Sequence, residues 1–290
     1  MGPREWEHSI GIALEPTFGL ATVPTLWMPG KSTLKKSPGI RELANPVGEW
    51  DATRVTTSPT KVSGALTLEV APGREALIIQ MLTRRISGEG AYRTMNSFTV
   101  VEVIGEASHP RDMFINTGVS CNKGTFKTAS GEDLIFEADT IGRERYRPSS
   151  PMVPNFTEPP APYVFEEMLV TVQGQYEYHI ETAETDFDHK LKDDSYASDA
   201  TGLLRDIPSD GRIISQKLDH AYEHPELWDL AMARLPIATV LRFARANYYF
   251  QIGLPLTYAT EADVADDKQS LELRPLKAAA EEAVTFTVGP

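Results

Sequence analysis

The chain has 290 residues, of which 41% are hydrophobic and 24% are charged, a composition typical of a soluble globular protein with one large or two ordinary domains. The formal net charge of -13 argues against a sequence-specific nucleic-acid reader, because such proteins neutralise phosphates with Lys and Arg. The single cysteine, Cys121, excludes an internal disulfide framework and a four-thiolate zinc site. Folding in a reducing cytoplasm fits this cysteine usage. No apolar run could span a bilayer as a helix, and the first residues lack an apolar signal core, so no export signal is expected.

Strands are the main elements that the sequence predicts. Short apolar runs, alternating or rich in β-branched residues and separated by turn residues, are typical of a sandwich or barrel. These runs cover residues 65–70, 98–104, 134–141, 168–172, 175–180, 214–220, 239–256 and 283–288. The run 239–256 is long enough for two strands.

Two segments predict short helices instead, at residues 74–84 and 225–234. In the first, apolar residues recur at helical spacing, with Glu75 near the start and Arg84 near the end, where they complement the helix dipole. In the second, Pro225 suits the first helical position. Between the two halves, six prolines in residues 148–162 predict an extended, semi-rigid linker.

The two halves repeat the same order of elements. A displacement of 150 residues places Leu68 on Leu218 and Leu77 on Leu227 without a gap. In each half a strand leads into a helix, and we interpret this order as an internal duplication. The second half lacks the Ser63-Gly64 pair of the first, because Ile213 and Ile214 stand there at this displacement.

A long polar segment precedes the strand-helix unit in each half, at residues 35–60 and 185–211. Connections of this length are usually functional or disordered. We interpret them as arms that reach neighbouring subunits, because a solvated loop has little use for a tryptophan such as Trp50. The strongly acidic stretch 181–199 either lines a channel or belongs to the second arm, and we favour the arm. The candidate contact residues are Leu43, Val47, Trp50, Asp51, Arg54, Asp186, Asp188, Asp193 and Asp194.

The N-terminal stretch Gly11–Pro29, with Glu15, the Phe18-Gly19 pair and Trp27, resembles the start of the major tail tube proteins of long-tailed phages. Two later segments share that resemblance. One is the unit that begins at Ser63-Gly64 and leads into a helix, and the other is the pair of strands that closes with Ile141-Gly142. The resemblance covers nearly the whole chain as a pattern of spacings.

This resemblance implies a mainly β fold with short helices, in two tandem tail-tube-type β-sandwich or barrel domains, each with a flanking helix and a long projecting loop. We expect domains at residues 1–147 and 163–290, joined by the linker 148–162. It also implies a structural virion protein of the siphovirus type, without enzymatic activity or cofactor. The chains would be assembled in the host cytoplasm and stacked as rings into a tail tube, the channel for genome delivery. Three duplicated chains would replace six single ones in each ring.

The implied partners are other copies of the chain, the tape measure protein inside the tube, the tail terminator and the baseplate or distal tail proteins. Genomic DNA would cross the lumen without specific binding, and no membrane insertion is expected. An acidic lumen would keep phosphates at a distance and let them slide.

Two other functions stay open from the sequence. The first is a β-sandwich virion module that binds a carbohydrate or a receptor. The second is a zinc hydrolase, because His220, Glu223 and His224 match the H-x-x-E-H motif. That motif needs both histidines on one helix. Here His220 ends an alternating strand and Pro225 starts a helix, so the pair is expected to straddle a turn.

Overall fold

A computed structural model describes residues 8–24, 26–37, 40–43, 54–57, 60–84, 95–106, 109–150, 152, 160–177, 180–194, 203–221, 225–265, 268–276 and 283–289. The described residues are mainly β with two short α-helices, which confirms the mainly β class predicted from the sequence. Among the described residues, no helix is long and apolar enough to cross a membrane.

The first half contains ten strands and one helix among its described residues. The helix α1 (Glu75–Met81) lies between the sixth and seventh strands. The strands are β1 (His8–Leu14), β2 (Leu26–Ser32), β3 (Lys35–Ser37), β4 (Ile40–Leu43), β5 (Arg54–Thr57), β6 (Lys61–Glu69), β7 (Phe98–Glu106), β8 (His109–Ala129), β9 (Ile135–Gly142) and β10 (Glu144–Tyr146).

The second half contributes eight described strands, a 3-10 turn (Phe165–Glu167) and the helix α2 (Pro225–Met232), which separates its fourth and fifth strands. The strands are β11 (Met168–Val172), β12 (Gln175–Glu177), β13 (Ile180–Asp188), β14 (Ile213–Ala221), β15 (Ile237–Arg245), β16 (Tyr248–Ala265), β17 (Lys268–Pro275) and β18 (Thr285–Gly289). The long run 239–256 therefore does contain parts of two strands, β15 and β16.

The strands of the first half pair in a closed ring. All neighbours are antiparallel, in the order β1–β2–β6–β9–β8–β7 and back to β1. Alternation in β6 explains how the ring is filled, since Val62, Leu66 and Leu68 point into the core while their neighbours are only partly buried. The helix α1 adds Ile78 and Met81 to the same core.

The second half repeats these pairings. Strand β11 pairs with β12 and β15, β16 follows β15, and β17 lies between β16 and β14. In the first half, β2 pairs with β1, and both β2 and β3 pair with β6. In the second half, the consecutive strands β12 and β13 share these roles, because β12 pairs with β11 and β13 pairs with β14. Even the irregularities recur: a register shift lies between Phe98 and Val100 in β7, and another between Ile237 and Thr239 in β15.

The pairing also corrects the displacement read from the sequence. Equivalent register shifts precede Asp139 of β9 and Glu272 of β17, so these two residues correspond. Their neighbours Ala138 and Leu271 lie opposite Leu66 and Leu218, respectively. The strands β6 and β14 are therefore related by 152 residues instead of 150, whereas the helices start 150 residues apart. At the corrected displacement Ser63 corresponds to Ser215, so only the glycine of the Ser-Gly pair is missing from the second half.

The end of the proline-rich segment is anchored to the fold. Tyr163 donates its backbone N–H to the Val70 carbonyl, and its phenol donates to Glu75 Oε1 over 2.7 Å. Arg245 of β15 binds the carbonyls of Ala161 and Pro162 and pairs with Glu167. Residues 153–159 of the predicted linker lie outside the described part. The domain boundaries remain a prediction.

Candidate assembly interface

The two halves are joined by strand pairing. Residues 123–129 of β8 form an antiparallel ladder with residues 182–188 of β13. Thr125 Oγ1 donates a hydrogen bond to Asp186 Oδ1 over 2.5 Å across this ladder. Just beyond β13, the His189 N–H donates to the carbonyl of Asn122 over 2.8 Å. We call this contact between β8 and β13 the internal junction.

Aromatic side chains pack against the core side of the internal junction. The ring of Phe126, on β8, lies 6.2 Å from that of Phe187, on β13, and 5.3 Å from that of Phe250, on β16. Phe136 of β9 is in contact with Phe126 as well, at 4.9 Å between ring centroids. Burial of such rings is the largest apolar contribution that a side chain can make, so the two halves share one core.

Charges of opposite sign face each other across the internal junction. Lys127 lies opposite Glu184, and Lys123 lies opposite Asp188. Burial raises the pKa of the Glu184 carboxyl, an effect to which Asp186 adds and which Lys127 opposes. Directly opposed charges of opposite sign stabilise a strand pair, whereas like charges weaken it. Here the basic residues are on β8 and the acidic residues are on β13.

Through the internal junction one antiparallel sheet runs across both halves. We call it the belt, and its strand order is β3, β6, β9, β8, β13, β14, β17 and β16. One face of the belt packs on the core and the other is polar, as alternation requires. Charges of both signs lie on the polar face, in the ion pairs Lys127–Glu137, Lys217–Asp219, Arg274–Glu272 and Lys268–Glu181.

The belt ends in two strand edges that have no strand partner among the described residues. At one end, β3 pairs with β6 on one side only. At the other end, the segment Glu261–Ala265 of β16 pairs only with β17. A β-strand edge exposes backbone donors and acceptors that are ready to pair with another chain.

The first polar segment folds partly into a separate hairpin. Among the described residues, β4 and β5 pair only with each other, in a register that places Leu43 opposite Arg54. Val47, Trp50 and Asp51 lie outside the described residues. The strand content corrects the expectation of one long loop at 35–60, because β3, β4 and β5 all lie within it. We call residues 40–57 the arm.

The second polar segment differs from the loop expected at 185–211. Asp186 and Asp188 belong to β13, between β8 and β14, so they are strand residues inside the belt. The preference for an arm is therefore wrong for residues 181–188. Asp193 forms an ion pair with Lys61 of the first half, and Asp194 is exposed.

The N-terminal motif has a structural role in the first ring of strands. Glu15 is buried, and its carboxylate accepts hydrogen bonds from the N–H groups of Gly118 and Gly19 and from the Thr99 hydroxyl, at 2.8–3.0 Å. Burial raises the pKa of Glu15, while these hydrogen bonds lower it. Gly118 has a φ of +64°, and a Cβ there would lie 3.0 Å from the Phe18 ring. Glu15 and the Phe18-Gly19 pair therefore fix the N-terminal turn against β8.

The described residues do not form the zinc site that the H-x-x-E-H motif would require. His220 is buried in β14, while Glu223 and His224 lie outside the described residues. His220 cannot share a helix with His224, because His220 lies in the strand β14. Within the described ranges, no group of three or more His, Cys, Asp or Glu side chains is arranged to hold a metal ion.

Sequence reasoning missed the charged residues at the belt edges. Lys35 and Lys36 lie on β3, and Glu261 and Asp263 lie on β16. Their signal was present as a basic pair near one end of the chain and an acidic run near the other, but only the strand pairing shows that both are at strand edges. No family model and no curated protein matches the chain.

Proposed function

We propose that this protein is a structural subunit that polymerises into rings, and that the stacked rings form the tail tube of a long-tailed phage. The observation that carries the proposal is the internal junction. It is a head-to-tail contact between two equivalent halves. The two open edges of the belt, on β3 and β16, are the counterparts of the β13 and β8 edges that meet in the internal junction. A heterologous contact of this type repeats until the ring closes.

The geometry of the repeat supports a ring of three chains. Each chain supplies two equivalent halves, and the ladder between β8 and β13 joins them within the chain. Three chains joined by contacts of the same kind would have pseudo-sixfold symmetry. The belts would then form one continuous cylinder, which leaves no free strand edge within the ring.

The polar face of the belt is the surface that we assign to the channel. It carries acidic and basic side chains in ion pairs such as Lys127–Glu137, at 2.7 Å. Paired charges give a weak net field over distances longer than the pair, so DNA would meet neither a strong attraction nor a strong barrier. The lining that we propose is of mixed sign, with Glu184, Asp186 and Asp188 of β13 adding acidic charge; it modifies the acidic lumen that the net charge of -13 suggested.

The arm supports contacts between rings. Strands β4 and β5 form a two-stranded sheet apart from the belt, and an isolated two-stranded hairpin is only marginally stable in water. Docking on a neighbouring subunit would supply the packing that the hairpin lacks. The tape measure, terminator and baseplate proteins remain the proposed partners at the lumen and the two ends.

Electron microscopy of the purified protein tests this function. We expect rings of three chains or tubes, with a central hole a few nanometres wide and with an assembled fraction that rises with protein concentration. A particle that stays monomeric at every concentration would refute the proposal. A binding module would give that result, together with affinity for a carbohydrate or receptor.

Removal of the arm separates ring formation from stacking. A variant without residues 40–57 should keep its far-UV circular dichroism and form rings, because the deleted strands pair only with each other. It should not form tubes. Unchanged tube assembly by this variant would exclude the arm from stacking. A matched control is a variant in which Gly and Ser replace the exposed residues Gln173 and Gln175 at the turn between β11 and β12.

A further inference from the structure

The halves of the chain differ in whether their equivalent edges are occupied. Both β8 and β16 carry a register shift against their hairpin partners, between Cys121 and Lys123 in one and between Ala259 and Glu261 in the other. Lys123 therefore corresponds to Glu261, and Thr125 corresponds to Asp263. The edge of β8 at these residues is covered by β13, whereas β16 has no second strand partner among the described residues.

The strand that would cover β16 can be identified in the same way. Asp186 of β13 lies opposite Ser215 of β14, and Lys35 of β3 lies opposite Ser63 of β6. Since Ser63 corresponds to Ser215, Lys35 corresponds to Asp186. The segment 33–37 is thus the first-half equivalent of the part of β13 that forms the internal junction, and its three β3 residues are exposed.

The internal junction fixes a register for this second contact. Within the chain, Asp186 lies opposite Thr125 and Thr185 lies opposite Phe126. Replacing each residue by its equivalent places Lys35 of one copy opposite Asp263 of the next, on the polar face. It also places Leu34 opposite Val264 on the other face.

The side chains at this register are complementary. Lys35 is basic and exposed, Asp263 is acidic and exposed, and Glu261 lies diagonally across from Lys35. Neither Lys35 nor Asp263 has an ion-pair partner within the described part of the chain. Val264 is 40% exposed, whereas its equivalent Phe126, which is covered by β13, is 2% exposed. Exposed valine on an open strand edge is the expected state of a surface that is buried on assembly.

We infer that copies of this chain join by antiparallel pairing of β3 and the residues before it with the Glu261–Ala265 edge of the next copy, in the register that sets Lys35 opposite Asp263. This contact rests on the proposed function, for which it supplies the junction between chains. The charge pattern is reversed relative to the internal junction, where β8 carries the lysines and β13 the acids. The sign of the charges on each edge therefore favours pairing of the basic β3 edge with the acidic β16 edge of the next copy.

Charge reversal tests the pairing. Lys35→Glu or Asp263→Lys alone would oppose like charges, and we expect assembly to need roughly tenfold or more higher protein concentration in light scattering. The double variant with both reversals should recover the wild-type concentration dependence. Lys192→Glu, which breaks an exposed ion pair with Asp210 and belongs to neither edge strand, is the matched control and should assemble normally.

Disulfide trapping tests the register. Directly opposed residues have Cβ atoms about 4.5–5.5 Å apart, close to what a disulfide accepts. Oxidation of the Lys35→Cys/Asp263→Cys variant should give covalent oligomers in denaturing electrophoresis, while each single variant stops at a dimer. Cys121 does not compete, because it is buried and burial raises the pKa of its thiol. Lys36→Cys/Asp263→Cys, which points the two thiols to opposite faces, is the control.

The outcomes separate this contact from the proposed function. Recovery of assembly by the double reversal together with cross-linking at 35–263 supports the pairing. Wild-type rings that are insensitive to both reversals and do not cross-link at 35–263 would overturn the pairing and leave the tube function in place. A wild-type protein that stays monomeric at every concentration would overturn both.

Discussion

Acidification should weaken the internal junction through His189. This side chain follows β13, is 1% exposed, and lines a cavity of about 540 Å³ together with Arg84 of the first half and Arg212 of the second. Burial is the main cause that lowers the pKa of His189 to about 4, and Arg212 lowers it further, while Asp188 opposes the change. Its buried Nε2 has no hydrogen-bond partner in the described part of the chain.

The sign of the effect follows from the two protonation states. An unfolded chain binds a proton at His189 below the ordinary pKa of 6.5, whereas the folded chain does so only near 4. The contribution of neutral His189 to the free energy of unfolding is therefore fully present above pH 6.5 and is lost as the pH falls toward 4. Because one pKa unit corresponds to about 1.4 kcal/mol, the loss amounts to about 3 kcal/mol.

The assay compares wild type with His189→Gln in urea unfolding at pH 7 and pH 4. Glutamine cannot be protonated, so the difference in free energy of unfolding between the two proteins should fall by about 3 kcal/mol across that range. Residues with raised pKa values, such as Glu15 and Glu184, act in the opposite direction, but they are present in both proteins and cancel. A difference that does not change with pH would refute the reasoning. The exposed-site variant Lys192→Gln is the control.

Three further predictions concern stability. Arg145→Met should lower the free energy of unfolding in chemical denaturation by about 3 kcal/mol, because it removes the bidentate partner of the nearly buried Glu102, with both contacts at 2.9 Å. As a control, Arg147→Met breaks an exposed ion pair and should lower it by under about 1 kcal/mol. Glu15→Ala should lower the free energy of unfolding by about 2–4 kcal/mol, because the buried Gly118 N–H and the partly buried Gly19 N–H lose their acceptor. A loss below about 1 kcal/mol would contradict the role of the N-terminal motif. Phe126→Ala should lower the free energy of unfolding by about 3–5 kcal/mol. Unfolding, monitored by fluorescence and circular dichroism, should remain one cooperative transition, and two separate transitions would show that the halves do not share a core.

The elements that the sequence predicts well are those with a strong local signal. The run 168–172 matches β11 residue for residue, and α2 begins at Pro225, where the first helical position was expected. The strand β13 was missed because its alternating positions, Ala183 and Thr185, are small or polar, and only Phe187 carries a large apolar side chain. Its acidic residues lie on the polar face and therefore resemble a solvated loop when the sequence is read alone.

The assembly interface depends on contacts that are distant in sequence. Lys127 and Glu184 are neighbours only because β8 and β13 pair, and no local periodicity encodes that choice of partner. The duplication was visible in the order of elements, but its displacement was off by two residues in the strands. The helices start 150 residues apart, whereas β6 and β14 are related by 152, and only the ladder positions of Leu66 and Leu218 reveal this difference.

The internal junction has a kinetic and evolutionary consequence. Because β8 and β13 belong to one polypeptide, their contact forms at a high effective concentration and does not depend on how much protein is present. In a ring of three chains, half of the contacts would thus be made before any two molecules meet. The duplicated halves are also free to diverge independently, and the opposite charges at their equivalent edges are the trace of that divergence.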